Sequence, residues 1–343
     1  MPFRPASLIA VLLVGGAAMP AFAAPCPAET FQETVAGCTE MIRMQRMDEE
    51  VLSTAHYNRG FALQSLGKSK EAIADFTAAI RFNPAYAAAY NNRGYLTAMS
   101  GNLDGALRDL NKAIELDPTL IQAFNNRAML FKTRNNWDKA IADYDAAIRL
   151  NDPRASVVYF NRGVAYQNKG DVDRAIADYG EAIKLDPQQV NSLSNRGVLY
   201  AGKGDRAKAM ADFDEALRRD PKSVNALANR GFTFYTQNDF DRAIADYDSA
   251  IAIEPGIARL FQNRGLAYVA KNDLPHAIVD FGEAIKRDPK QAEGYLRRAE
   301  AYEKQGDLAR ALADANRGVA LNPRDTNAPK LRARIQAAAK KAN

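Results

Sequence analysis

Eight arginines (Arg59, Arg93, Arg127, Arg162, Arg196, Arg230, Arg264 and Arg298) each have an aspartate 16 positions further on: Asp75, Asp109, Asp143, Asp178, Asp212, Asp246, Asp280 and Asp314. A guanidinium is a planar fork that can hold a carboxylate through two hydrogen bonds. The pattern allows a ladder of anion sites, or ion pairs within or between structural units. Every Arg has its Asp, so structural pairing is the expectation. A second row runs beside the first. Asn58, Asn92, Asn126, Asn161, Asn195, Asn229 and Asn263 each precede one of these arginines. An amide both donates and accepts, so a row of amides can grip an extended peptide backbone without reading its side chains. Three positions after each Asn stand Phe61, Tyr95, Met129, Val164, Val198, Phe232 and Leu266. On a helix, i and i+3 are neighbours, which sets an apolar rail beside the polar one. That rail can bind a partner or pack between neighbouring units.

No catalytic constellation accompanies these rows. His56 and His276 lie far apart, with no Ser or Cys nucleophile motif near either. Two His and two Cys cannot supply a series of metal sites. Glycine-rich phosphate loops and nucleophile elbows are missing. The sequence therefore predicts no enzyme, no metal and no cofactor.

The elements that carry the rows repeat with them. Asn-Arg-Gly or a near variant recurs every 34 residues, with one step of 35 where Asn151-Asp152 adds a residue. Proline keeps the same rhythm, at Pro84, Pro118, Pro153, Pro187, Pro221, Pro255, Pro289 and Pro323. Apolar spacing in each copy reads as two helices. Gly67, Gly101, Gly170, Gly204 and Gly306, or Asn135, Asn238 and Asn272, fill the turn between them. Gly and Asn best tolerate the left-handed conformation that ends a helix. The residue before each proline resists helical geometry and stops the second helix. The expected class is all-α.

These residues resemble the tetratricopeptide repeat (TPR) family. Its bulky slot is filled by Tyr90, Phe124, Tyr159, Leu193, Leu227, Phe261 and Tyr295, but by His56 in the first copy. Its glycine slot holds Gly60, Gly94, Gly163, Gly197, Gly231 and Gly265, with Ala128 and Ala299 as substitutes. Its second-helix alanine is present in all eight copies, from Ala72 to Ala311, and its aromatic slot holds Phe76, Tyr144, Tyr179, Phe213, Tyr247 and Phe281. The resemblance implies an α-solenoid of helix-turn-helix hairpins forming a right-handed superhelix, with the Asn row facing its concave groove. A partner protein or extended peptide is the implied ligand. Family members that clamp a terminal carboxylate have Lys before the Asn; here that slot holds Tyr57, Asn91, Asn125, Phe160, Ser194, Ala228 and Gln262, so the clamp is absent.

The ends complete the organisation. Residues 1–23 read as a signal peptide: a basic start at Arg4, an apolar run from Ala6 to Ala18, and small residues at Ala21 and Ala23. Export to the periplasm or outside the cell follows, with no stable membrane insertion once the leader is removed. In that setting Cys26 and Cys38 are expected to form a disulfide. Residues 24–52 form an N-terminal capping segment, 53–325 eight repeats and 326–343 a basic capping helix. The formal charge of +5 sits at that last end: residues 324–343 carry +5, whereas 24–323 carry −1. A nearly neutral body with a cationic tail does not suit a nucleic-acid binder. The expected function is a periplasmic interaction scaffold; the alternative is a non-catalytic or regulatory subunit of an envelope enzyme system.

Overall fold

The computed structural model describes residues 26, 29–44, 47–150 and 155–342. The expected leader and the Asn151-Asp152 insertion lie outside them. The chain divides between Pro187 and Gln188 into two compact units. In the first, a lone helix α1 (Phe31–Arg43) precedes four hairpins. These pair α2 (Glu49–Ser65) with α3 (Ser69–Phe82), α4 (Ala87–Met99) with α5 (Leu103–Leu116), α6 (Ile121–Thr133) with α7 (Trp137–Arg149), and α8 (Ser156–Lys169) with α9 (Val172–Leu185). The second unit pairs α10 (Val190–Gly202) with α11 (Arg206–Arg219), α12 (Val224–Thr236) with α13 (Phe240–Ile253), α14 (Ala258–Ala270) with α15 (Leu274–Arg287), and α16 (Ala292–Gln305) with α17 (Leu308–Leu321). It closes on α18 (Ala328–Ala342). The described residues contain no strand, and none of their helices is long and apolar enough to cross a membrane.

Local chemistry explains each hairpin. All eight turn residues named above have positive φ, from 55° at Asn135 to 92° at Gly101. The next residue then caps the second helix in seven copies, as when Asp205 accepts from Lys208 N at 3.2 Å. The first copy has Lys68 there and no side-chain cap. Before proline the backbone turns extended, as at Asp117 (φ −136°, ψ 94°). Helix α2 starts at Glu49, where Asp48 caps it by accepting from Val51 N.

In six of the eight hairpins the buried residue opposite the small slot is a ring; Leu110 and Ala315 stand there in the other two. Phe76, Leu110, Tyr144, Tyr179, Phe213, Tyr247 and Phe281 are fully buried. A Cβ added at Gly197 or Gly265 would stand 2.7 Å from Cε1 of Phe213 or Phe281. That close approach is what the glycine slot provides. Each second helix also packs on the first helix of the next hairpin within its unit. First helices touch one another too: α4 with α6, α10 with α12, and α12 with α14. Their faces therefore lie side by side, and the Asn and apolar rows sit on them.

Candidate functional site

All eight Arg–Asp pairs form, each inside one hairpin. Arg Nε and Nη2 donate to the two oxygens of the matching Asp at 2.6–2.9 Å. In six of the eight the remaining nitrogen, Nη1, reaches back to the preceding hairpin or to α1. It donates to Thr39, Thr77 and Asn111 from Arg59, Arg93 and Arg127. From Arg162, Arg230 and Arg264 it donates to the carboxylates of Asp145, Asp214 and Asp248. Both arrangements that the spacing allowed are realised by one side chain. An aromatic three residues earlier often lies under the guanidinium, as Tyr90 does 5.5 Å from Arg93. The row is structural: its fork is occupied, and an anion would have to displace a buried carboxylate.

The neighbours tune the acids differently. Burial pushes Asp75 upward, but bonds from Arg59 and from His56 Nδ1 at 2.8 Å outweigh it and hold the carboxyl below its ordinary value. Burial prevails at Asp178 and Asp280, whose carboxyls are raised. Asp145 and Glu181 near the first, and Asp248 near the second, add to that rise. His56 thus serves an ion pair and stacks on Phe82, with centroids 5.7 Å apart. His276 is exposed beside Asp273 and stacks on Tyr268. The two histidines belong to different units. Among the described residues no group of three or more His, Cys, Asp or Glu could hold a metal ion.

The Asn row is more enclosed than an open polar rail. Asn58, Asn161, Asn195, Asn229 and Asn263 are buried, whereas Asn92 and Asn126 are partly exposed. In the first unit the three amides after Asn58 each donate to the residue before the Asn of the preceding first helix. Asn92 Nδ2 reaches Tyr57 Oη at 3.3 Å, Asn126 Nδ2 reaches Asn91 Oδ1 at 2.9 Å, and Asn161 Nδ2 reaches Asn125 Oδ1 at 3.1 Å. Asn91 in turn donates to Asn92. Burial raises the Tyr57 phenol, which stays protonated at neutral pH. Tyr57, Asn91 and Asn125, which stand where a carboxylate clamp has Lys, are the acceptors that complete the row. Their signal was the polar residue beside the Asn in the first three copies. Asn58 Nδ2 and Asn263 Nδ2 are buried without an acceptor. No first helix of the described chain precedes α2, and the register opposite Asn263 falls on Ala228.

The apolar row has the opposite character. Phe61, Tyr95, Met129, Val164, Val198, Phe232 and Leu266 are all partly exposed, one on each of seven first helices. Phe61 meets Phe31 of α1 edge-on at 6.3 Å, and Phe232 stacks with Tyr235 at 6.4 Å. In the last hairpin Arg297 lies between Glu293 and Glu300, both at 3.2 Å, in a cleft of about 730 Å³ that Leu296 and Leu331 also line. At the other extremity Cys26 and Cys38 are disulfide-bonded, with Cα atoms 5.2 Å apart. Cys38 is fully buried where the repeats place their ring.

Sequence models described as tetratricopeptide repeat match residues 53–86, 87–120, 156–189, 194–256 and 292–325, and one described as TPR repeat matches 265–306. No curated protein matches the chain. Among solved structures, a tetratricopeptide repeat protein from Parabacteroides merdae is similar at 19% identity with a TM-score of 0.58, covering 73% of this chain and 98% of its own. PilW, a type IV pilus biogenesis factor, is similar at 22% identity and 0.57, covering 62% and 98%. PilF of Pseudomonas aeruginosa is similar at 16% and 0.56, covering 65% and 98%. These likenesses show the fold: hairpins stacked as a helical-repeat solenoid.

Proposed function

Because the chain belongs to the tetratricopeptide repeat family, we propose that it is a periplasmic, non-catalytic scaffold that binds an extended segment of a partner protein along its first helices. The observation carrying this reading is the apolar row. Seven first helices each leave one apolar side chain partly exposed at the same register, while the Arg row beside it is consumed by internal bonds. Phe61, Tyr95 and Met129 offer such a surface in the first unit, and Val198, Phe232 and Leu266 in the second. In this reading the partly exposed amides of Asn92 and Asn126 add bonds to a partner's backbone beside that row. The buried amides Asn58, Asn161, Asn195, Asn229 and Asn263 support that face from within.

Periplasmic residence rests on the leader, and the near-neutral body between residues 24 and 323 disfavours nucleic acid as the partner. Affinity capture from the periplasmic fraction tests the reading, with wild type beside Tyr95→Ala/Met129→Ala and Phe232→Ala variants. Loss of a captured protein from folded variants is expected; folded variants that keep every partner overturn the groove. Amino-terminal sequencing of the same material tests export, with Ala24 expected as the first residue.

A further inference from the structure

The outermost helices of the two units carry opposite charge on faces of similar design. Residues 29–52 hold six carboxylates (Glu29, Glu33, Glu40, Asp48, Glu49 and Glu50) against Arg43 and Arg46. All six are exposed. Along α1 the exposed stripe runs from Gln32-Glu33 through Ala36-Gly37 to Glu40. Along α18 it runs from Lys330 through Ala333-Arg334 and Ala337 to Lys340-Lys341, and α18 contains no acidic residue. Small residues at the centre of both stripes let two helix backbones approach, and the flanking charges are complementary.

A second observation concerns the register of α18. Arg332 follows Arg298 by 34 residues, and Ala333 follows it as Ala299 follows Arg298. It is a ninth member of the arginine row. The other eight grip a carboxylate on a following helix, whereas Arg332 has no carboxylate partner among the described residues. Its helix packs on α16 and α17 by way of Leu331 and Ile335, and no described helix covers its other side. Among the described residues α18 is thus a first helix without a second. α1 is the reverse: a second helix with no described first helix before it, its acidic face turned outward.

We propose that α1 of one copy of this protein docks on α18 of another, assembling copies head to tail. Such a contact is heterologous, so each added copy presents a fresh α1 and a fresh α18. The inference is independent of the groove, whose residues it does not use.

Sedimentation velocity of the purified protein tests it. At about 20 mM salt the wild type should form species that grow with concentration, and at about 500 mM it should return to monomer, because salt screens exposed charges. A Glu29→Lys/Glu40→Lys variant and a Lys330→Glu/Lys340→Glu/Lys341→Glu variant should each associate at least about tenfold more weakly than wild type. Their equimolar mixture should associate again, since each reversed end then meets a reversed partner. Circular dichroism confirms that both variants keep their helices, and the wild-type salt series stands without them. A wild type that is monomeric at every concentration, association indifferent to salt, or folded variants that associate as wild type does would each overturn the proposal. So would a monomer whose basic end binds anionic phospholipid vesicles.

Discussion

The first unit links its first helices through side-chain amides without a break, and the second unit does not. Asn92, Asn126 and Asn161 each find the residue beside the previous Asn, whereas Asn263 meets the register of Ala228 and is left without an acceptor. In the second unit Ser194 Oγ donates to Val190 O, and Gln262 Nε2 donates to Gln291 Oε1 at 2.8 Å. The arginine braces divide along the chain as well. The first three hairpins close Nη1 on neutral acceptors, whereas Arg162, Arg230 and Arg264 close it on carboxylates. A residue can repeat at every copy while its interaction does not, because half of each bond belongs to a position under a different constraint.

The largest test of that contrast removes a guanidinium. Arg93→Ala leaves Asp109 unpaired, and Arg264→Ala leaves both Asp280 and Asp248. Breaking a buried pair from one side costs about 3–5 kcal/mol. Urea denaturation should place Arg264→Ala at the upper end and Arg93→Ala at the lower. Equal losses would mean that the second carboxylate adds nothing.

A smaller effect separates the amides. Asn161→Ala removes its bond to Asn125 and should cost about 1 kcal/mol, whereas Asn263→Ala forfeits no such bond. Ala228→Asn gives Asn263 the acceptor its counterparts have and should raise the melting temperature. A lower one would show that the second unit has no room for the rail.

The smallest effect is a difference of sign with pH. Asp75 lies below its ordinary value of 3.8, so its contribution holds above that value and is lost as pH falls through the folded one. Asp178 and Asp280 lie above 3.8, so their contribution is present below it and is lost as pH rises through the folded value. Relative to Asp178→Asn, the wild type should therefore gain stability as pH falls from 7 towards about 4; relative to Asp75→Asn it should be unchanged there and weaken further down. Parallel denaturation curves at each pH would measure both, and a shared sign would contradict the assignment.

Much of this was legible in the residues. Gly101 and Asn135 mark the turns, Ala72 and its equivalents the close packing, and Pro118 the helix stop; each acts through its own backbone or nearest neighbours. The Arg–Asp spacing was legible too, because both partners recur within one hairpin. The role of Tyr57, Asn91 and Asn125 was not, since their bonds join hairpins 35 or 36 residues apart. Neither was the cap that Asp205 and its equivalents provide, nor the start of α2 at Glu49, which depends on a single side-chain bond from Val51 N to Asp48.

The sequence by itself determined what is local and repeated: an all-α chain, the length of each hairpin, the buried residue that fills it, and the arginine that ties its two helices. Tertiary structure alone decided where Nη1 of each arginine goes, which amides are buried, and which apolar side chains stay partly open. Those outcomes depend on how one hairpin sits against the next, and that placement comes from packing many side chains at once rather than from any one residue's preference.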